Sequence, residues 1–165
     1  MSYQRMTVDL SEYPDLVYIN LGMRPLNLRG LWSVIRYGLA VRWAVQEKPD
    51  GLLRHESLIY LVNYLPHFGM RQYWRDFDSL ERWTRHSEHG KWWGKMARST
   101  DGTMIWHESF AMQGGVDAIY SSHTRLPETG FMTFAPVIPA QGAGYSARKR
   151  LHVAGEETAP RPTSN

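Results

Sequence analysis

Hydrophobic positions along this chain follow two periods, and each change of period marks an element. Residues 16–23 (L-V-Y-I-N-L-G-M) form a β-branched and aromatic run ending at Arg24-Pro25, which predicts a first strand. Leu31, Ile35, Leu39 and Trp43 then recur at every fourth position. Residues 31–47 are therefore expected to form a helix, after a turn over 27–30, with that stripe turned to a sheet. Lys48-Pro49-Asp50-Gly51 stops it. Alternation returns over 56–65, with Leu58, Tyr60, Val62 and Tyr64 on one face. Pro66-His67-Phe68-Gly69 predicts the turn into a third strand over 70–75, the two strands forming an antiparallel hairpin.

The stretch from Tyr73 to Met112 mixes these patterns with reactive side chains. Asp76 is an N-cap candidate for a helix beginning near Asp78, because its carboxylate can accept from the open amides of the first turn. At helical spacing, Trp83, His86, His89, Gly90, Trp93 and Met96 share one face, with Glu81, Thr84, Glu88, Lys91 and Lys95 opposite. Two imidazoles on an aromatic face beside a glycine leave room for a flat group. Ser99-Thr100-Asp101-Gly102 is a turn, followed by a strand over 103–112. Along it Ile105, His107, Ser109 and Ala111 face one way, and Met104, Trp106, Glu108, Phe110 and Met112 the other. The first, smaller set can border a cavity, which makes His107 the better pocket candidate; Glu108 then needs a buried partner or a rim position. After the turn Gln113-Gly114-Gly115, residues 116–122 predict a short strand antiparallel to the preceding one.

Strand, helix, strand, strand, helix, strand, strand is the order of a split βαβ, ferredoxin-like α+β sheet with both helices on one face. Its other face, bearing Trp106, Phe110 and Met112, would remain apolar and uncovered, so a homodimer packed sheet to sheet is expected. The domain is expected to span 16–140, ending in an arm with Phe131, Met132 and Phe134. Residues 1–15 read as an N-terminal extension and 141–165, rich in Pro, Gly, Ala and Ser, as a mobile tail.

Composition narrows the chemistry. At 165 residues the chain is long enough for one domain with a substantial core. Of its formal net charge of +3, Arg148, Lys149, Arg150 and Arg161 against Glu156 and Glu157 place +2 beyond residue 140, so the body is nearly neutral and its charge is weak evidence for nucleic acid. Cysteine is absent, which removes disulfides, thiolate nucleophiles and Cys-ligated metal, and fits a reducing cytoplasm. The polar start, with Asp9, Glu12 and Asp15, does not read as a signal peptide. The most apolar stretch, 28–46, is interrupted by Arg29, Arg36 and Arg42, so no membrane span is expected. There is no H-E-x-x-H pair, no phosphate-cradling glycine loop and no nucleophile elbow around Ser109 or Ser121, which argues against a zinc protease, a dinucleotide enzyme and a hydrolase. Arg75 admits two readings, a salt bridge to Asp76 or Asp78 and an anchor for an anion at a pocket mouth. His67 in a turn and His152 in the tail are expected in solvent, and His55 and His123 at strand ends are weakly placed for chemistry.

Y-W-R, F-D-S-L-E-R-W, H-G-K-W-W, I-W-H-E-S-F and D-A-I-Y, in that order, together with G-M-R and P-D-G-L-L upstream, resemble the small monooxygenase-like domains of fungal and bacterial secondary metabolism. Those belong with the antibiotic-biosynthesis monooxygenases in the dimeric α+β barrel group. The resemblance covers about residues 16–130 and implies oxidation of an apolar natural-product intermediate. More distantly, the same motifs resemble haem-containing aldoxime dehydratases. That resemblance implies haem b, with His89 (or His86) as axial iron ligand beside Gly90 and Trp93. It places His107, of the strand pair His107-Glu108, on the distal side, and Glu108 and Arg75 remain further candidate catalytic groups. Two classes of function stay open: an enzyme, either an oxidative tailoring enzyme (haem-dependent or cofactor-free) or a haem-dependent aldoxime dehydratase-like lyase, and a non-catalytic dimeric barrel that binds a small hydrophobic ligand.

Overall fold

The computed structural model describes residues 4–85, 91, 102–112, 116–122, 125–140 and 147. In chain order the elements are β1 (Gln4–Val8), β2 (Val17–Pro25), α1 (Leu28–Gln46), β3 (Leu52–Val62), β4 (Leu65–Trp74), α2 (Phe77–Arg85), β5 (Thr103–Ala111), β6 (Tyr120–Ser122), a 3-10 turn (Gly130–Thr133) and β7 (Val137–Pro139). They fall into two compact units, Leu16–Ala111, and Met1–Asp15 together with Met112–Asn165.

The Leu16–Ala111 unit is a four-stranded antiparallel sheet of order β3-β4-β2-β5. Taken by first appearance, this is the strand order of a ferredoxin-like split βαβ fold, as the element pattern predicts. Val17, Ile19 and Met23 of β2 share one face by strand parity. Val17 and Ile19 pack with Trp74 and with Leu80 of α2, and Met23 packs with Val34 and Tyr37 of α1. Both helices therefore lie on that face, and the core is the layer between them and the sheet.

Each helix starts on a side-chain cap. Asn27 Oδ1 accepts the Gly30 amide at 2.9 Å, so α1 begins where a turn was expected. Asp76 Oδ1 accepts the Ser79 amide at 2.6 Å, as its position before the apolar run suggests. The phase of α1 differs from the expected one. Its buried residues are Gly30, Ser33, Val34 and Tyr37, while Leu31, Ile35, Leu39 and Trp43 are exposed. The close approach explains this: a Cβ on Gly30 would stand 2.0 Å from the Gly102 carbonyl oxygen, so only small residues let this end of the helix reach the sheet.

The β3–β4 hairpin also turns earlier than expected. Asn63 and Tyr64 both hold positive φ, 51° and 66°, and join Val62 to Leu65 as a two-residue loop. Pro66 and His67 thus belong to β4. Pro66 is tolerated because Met23↔Phe68 is the last rung with β2, so its missing N–H faces an unpaired edge.

In the other unit β1 is central to a three-stranded sheet of order β6-β1-β7, antiparallel throughout. The residues read as an extension thus contain a strand, and β6 pairs with β1 rather than with β5. Tyr13 meets Phe134 edge-on at 5.4 Å between ring centroids, and Phe131 lies 6.1 Å from Phe134, which organises the aromatic arm. The residues read as a tail, 141–165, lie outside the described residues apart from Ala147. No helix among the described residues is long and apolar enough to cross a membrane.

Candidate functional site

The rungs Ile19↔Ser109 and Leu21↔His107 set the site. They put His107 and Ser109 on the helix-bearing face, the assignment that strand alternation predicts, and about 7 Å apart along β5 from the strand rise. Between them and α2 lies a cavity of about 420 Å³. Its apolar walls come from Ile19, Leu21, Met70, Phe77 and Leu80, and Glu81, Thr84 and Arg85 close one side.

His107 remains accessible, yet the protein around it displaces enough water to push its pKa below the ordinary histidine value. It therefore holds a neutral imidazole near pH 7, the form that can accept a proton. The polar groups of α2 that border the cavity pair among themselves. Arg85 pairs with Glu81 at 2.6 Å, and the Thr84 hydroxyl donates to the Glu81 carbonyl at 2.9 Å. Glu81 and Thr84 were expected on the side of the helix away from its aromatic face. Trp83 does turn to the core, stacking on Trp74 at 5.2 Å, and the cavity meets the helix flank beside it.

The other candidate residues fall elsewhere. Glu108 stands opposite Asn20 on the face of the sheet away from the helices, so strand geometry separates it from His107. Arg75 does not line this cavity. Its guanidinium makes a two-pronged contact with Asp50, at 3.2 and 3.0 Å, and reaches Asp76 at 2.9 Å and Ser79 Oγ at 2.9 Å. These carboxylates raise its pKa further, and the arginine serves to tie the start of α2 to the loop before β3. His86, His89, Gly90 and Trp93 lie outside the described residues.

Two histidines differ from expectation. His67 is 5% exposed in β4, where its Nδ1 accepts from Trp106 Nε1 at 3.0 Å. His55 lies within β3 on the helix-bearing face and joins a buried polar chain. Trp74 Nε1 donates to Gln72 Oε1 at 3.1 Å, and Gln72 Nε2 lies 3.3 Å from His55 Nδ1. Desolvation, with the Arg54 charge, lowers the His55 pKa. The signal for both was strand alternation, once the hairpin turn is placed at Asn63-Tyr64.

The face away from the helices carries a second cluster. Glu56 binds Arg71, the Tyr60 hydroxyl donates to Asn20, and Trp106 lies edge-on to Tyr60 at 5.1 Å. Burial first, then the neighbouring Tyr18, pushes the Tyr60 phenol up to about 12, so it stays protonated as a donor. Met104 and Phe110 on this face are exposed, but it is more polar than expected.

The four-stranded sheet with both helices on one face is a ferredoxin-like α+β fold, and the histidine-bearing cavity lies between α2 and that sheet. The family model described as monooxygenase af470-like matches residues 16–131, and this chain belongs to that family. Membership places it among monooxygenase-like enzymes. No curated protein matches it in sequence.

Among solved structures it is similar in fold to an aldoxime dehydratase in complex with butyraldoxime, with a TM-score of 0.70 and 19% identity over 92% of this chain and 44% of that one. A second aldoxime dehydratase matches with a TM-score of 0.68 and 20% identity, over 93% of this chain and 46% of that one. The chain thus spans less than half the length of the dehydratases it matches. A cofactor-independent oxygenase from Streptomyces nogalater also matches, with a TM-score of 0.42 and 14% identity over 59% of this chain and 92% of that one.

Proposed function

We propose that this chain is a small oxidative tailoring enzyme that acts on an apolar natural-product intermediate held against His107. The observation that supports this most is an accessible, neutral imidazole facing a cavity of hydrocarbon walls. Such an imidazole accepts a proton from an acidified C–H or O–H of the substrate, and the apolar walls favour a substrate with few charges. The resulting anion is electron-rich enough to add O₂ directly. For a methylene between two conjugating groups, one oxygen atom ends in a ketone and the other leaves as water. All electrons come from the substrate, so no external reductant is needed. The proton taken by His107 returns to the substrate peroxide, and loss of the second C–H proton breaks the O–O bond. Ser109, on the same face, is placed to donate to the oxygen on which negative charge develops.

Haem b is the alternative that the dehydratase-like fold suggests. The groups that would hold it, His86 or His89 with Gly90 and Trp93, fall outside the described residues. If bound there, haem would supply the iron that activates oxygen, with His107 as the imidazole of the described lining. The exposed Met104 and Phe110 support a homodimer through the face away from the helices. Conversion of Phe110 to Lys should then turn a sedimenting dimer into monomer.

The test uses anthrone, a tricyclic ketone with one doubly activated methylene, and follows O₂ uptake and quinone formation. Wild type should form about one quinone per O₂, and His107→Gln should slow it on the order of a hundredfold or more. A folded His107→Gln that keeps the wild-type rate refutes the assignment. So does a wild type inert toward a panel of such methylenes. A Soret band in the purified protein moves the chemistry to haem, with His107 on its distal side.

A further inference from the structure

Helix α1 carries a second apolar stripe that plays no part in holding the sheet. At 100° per residue, Leu28, Trp32, Ile35, Leu39 and Trp43 fall within an arc of about 80°, on the side opposite the buried Gly30, Ser33, Val34 and Tyr37. All five are exposed, Trp32 by 67% and Leu28 by 86%. A contiguous row of large hydrocarbon side chains is what a surface facing only water normally avoids.

The β3–β4 hairpin continues this surface. Ile59 and Leu61 stand on the helix-bearing face of β3, with Phe68 across from Ile59, and Tyr64 at the turn is 97% exposed. No Asp, Glu, Lys or Arg occurs between Glu56 and Arg71. Ile35 and Leu39 of α1 border the same hollow as Ile59 and Phe68, so helix and hairpin present one continuous apolar surface.

Charge and shape indicate what covers it. The charged residues of α1 are Arg29, Arg36 and Arg42, all exposed, and the helix contains no acid. By helical phase Arg29 and Arg36 border the stripe on one side and Arg42 on the other. Just past the end, Glu47 is followed by Lys48. A second copy laid stripe to stripe would set arginines against arginines, with no carboxylate in α1 to meet them. Residues 141–165 carry four basic against two acidic side chains, the same sign again. An anionic partner fits instead. The stripe stands on the back of a helix and Tyr64 on a turn, so these side chains protrude where a folded protein would need a matching cleft, and a fluid surface accommodates them. Trp and Tyr among aliphatic residues, rimmed by Arg, is the make-up of elements that lie at the level of lipid headgroups.

We propose that α1 and the β3–β4 hairpin dock this domain onto an anionic lipid surface, with Trp32, Leu39 and Trp43 entering the acyl boundary and Arg36 and Arg42 reaching lipid phosphates. The helix lies in the plane of that surface and does not cross it. None of these residues lines the His107 cavity, so the docking stands independently of the oxidative step.

The test is co-sedimentation of the full chain with vesicles of phosphatidylcholine containing about one phosphatidylglycerol in three, against vesicles of phosphatidylcholine alone. Wild type should bind the anionic vesicles, more weakly as salt rises, and bind the neutral ones less. Combining Trp32→Gln, Leu39→Gln and Trp43→Gln should weaken binding about tenfold or more. Combining Arg36→Gln and Arg42→Gln should weaken it on the order of tenfold. Both variants should keep the wild-type circular dichroism, since the side chains are exposed. Combining Trp32→Phe with Trp43→Phe should leave binding in place and remove most of the tryptophan quenching by lipid brominated on its acyl chains. This pair and the arginine pair decide the matter if the triple variant does not fold. The proposal is overturned if wild type does not bind the anionic vesicles or binds neutral ones equally well. It is overturned too if a folded triple variant or the arginine pair binds as wild type does, or if quenching persists in the Phe pair. A triple variant that turns a lipid-free dimer into monomer assigns the stripe to a second copy and also overturns it.

Discussion

Two glycines of α1 are predicted to respond to alanine in opposite directions. A Cβ on Gly30 would lie 2.0 Å from the Gly102 carbonyl oxygen and 2.7 Å from its carbon, with Pro25 Cα at 3.4 Å. The obstacle is backbone, and it is pinned. Gly102 holds φ at +77°, packs against the Asn27 side chain, and its oxygen accepts the Leu26 amide at 2.9 Å. Overpacking of this kind costs about 1–3 kcal/mol. The helix-propensity gain of at most about 1 kcal/mol is smaller still in the first turn, so Gly30→Ala should destabilise. At about 2–4 °C per kcal/mol for a chain of this size, its melting temperature should fall by about 2–10 °C. Gly38 meets nothing, so Gly38→Ala keeps the propensity term alone, and the melting temperature should rise by about 1–4 °C. Thermal unfolding followed by far-UV circular dichroism at one protein concentration reads both. Equal stability of Gly30→Ala and wild type refutes the contact between α1 and the turn before β5. A loss in Gly38→Ala refutes the open space at that position.

Asp76→Ala removes the cap on the Ser79 amide and should cost about 1 kcal/mol, seen as a lowered denaturant midpoint. Because that amide bond pulls the Asp76 pKa to about 2 from 3.8, its contribution should persist down to about pH 4 and disappear as pH falls through 2; a variant equal to wild type at neutral pH would contradict the cap. His55 and His107 both titrate below their ordinary 6.5, so the unfolded chain binds their protons first. Stability should therefore be full above about pH 6.5 and decline as pH drops from there toward their folded values. Denaturant midpoints for wild type and for the double Gln variant test this, and an unchanged slope in the variant refutes it.

Strand β5 was legible because its side chains keep a period of two. Ile105, His107 and Ser109 against Trp106, Glu108 and Phe110 needed no knowledge of neighbours to be assigned to opposite faces. Helix α1 misled because hydrophobicity was taken as a proxy for burial. Its contact face is built on Gly30 and Ser33, whose value is small size, while Trp43 is 69% exposed. Pro66 and Gly69 resemble a turn, but the register put Pro66 at an unpaired edge and gave the reversal to Asn63-Tyr64. The β6-β1-β7 sheet joins strands of three to five residues from opposite ends of the chain, and such short runs carry no period. Of the site, His107 could be read from alternation, and the flank of α2 that meets it could not. The open space at Gly38 was hidden for another reason: an unfilled volume is a property of the packed structure.

Trp106 lies against Gly22 so closely that a Cβ there would stand 2.4 Å from its ring, and it spends its one N–H on His67. Beside it, Glu56 and Arg71 neutralise each other and Tyr60 donates to Asn20. A surface settled in this way offers a newcomer relief and flat aromatic area, and on the same face the exposed Glu108 adds a carboxylate. Anything that docks here would be chosen mainly by shape, with a preference against negative charge near Glu108 that salt should weaken.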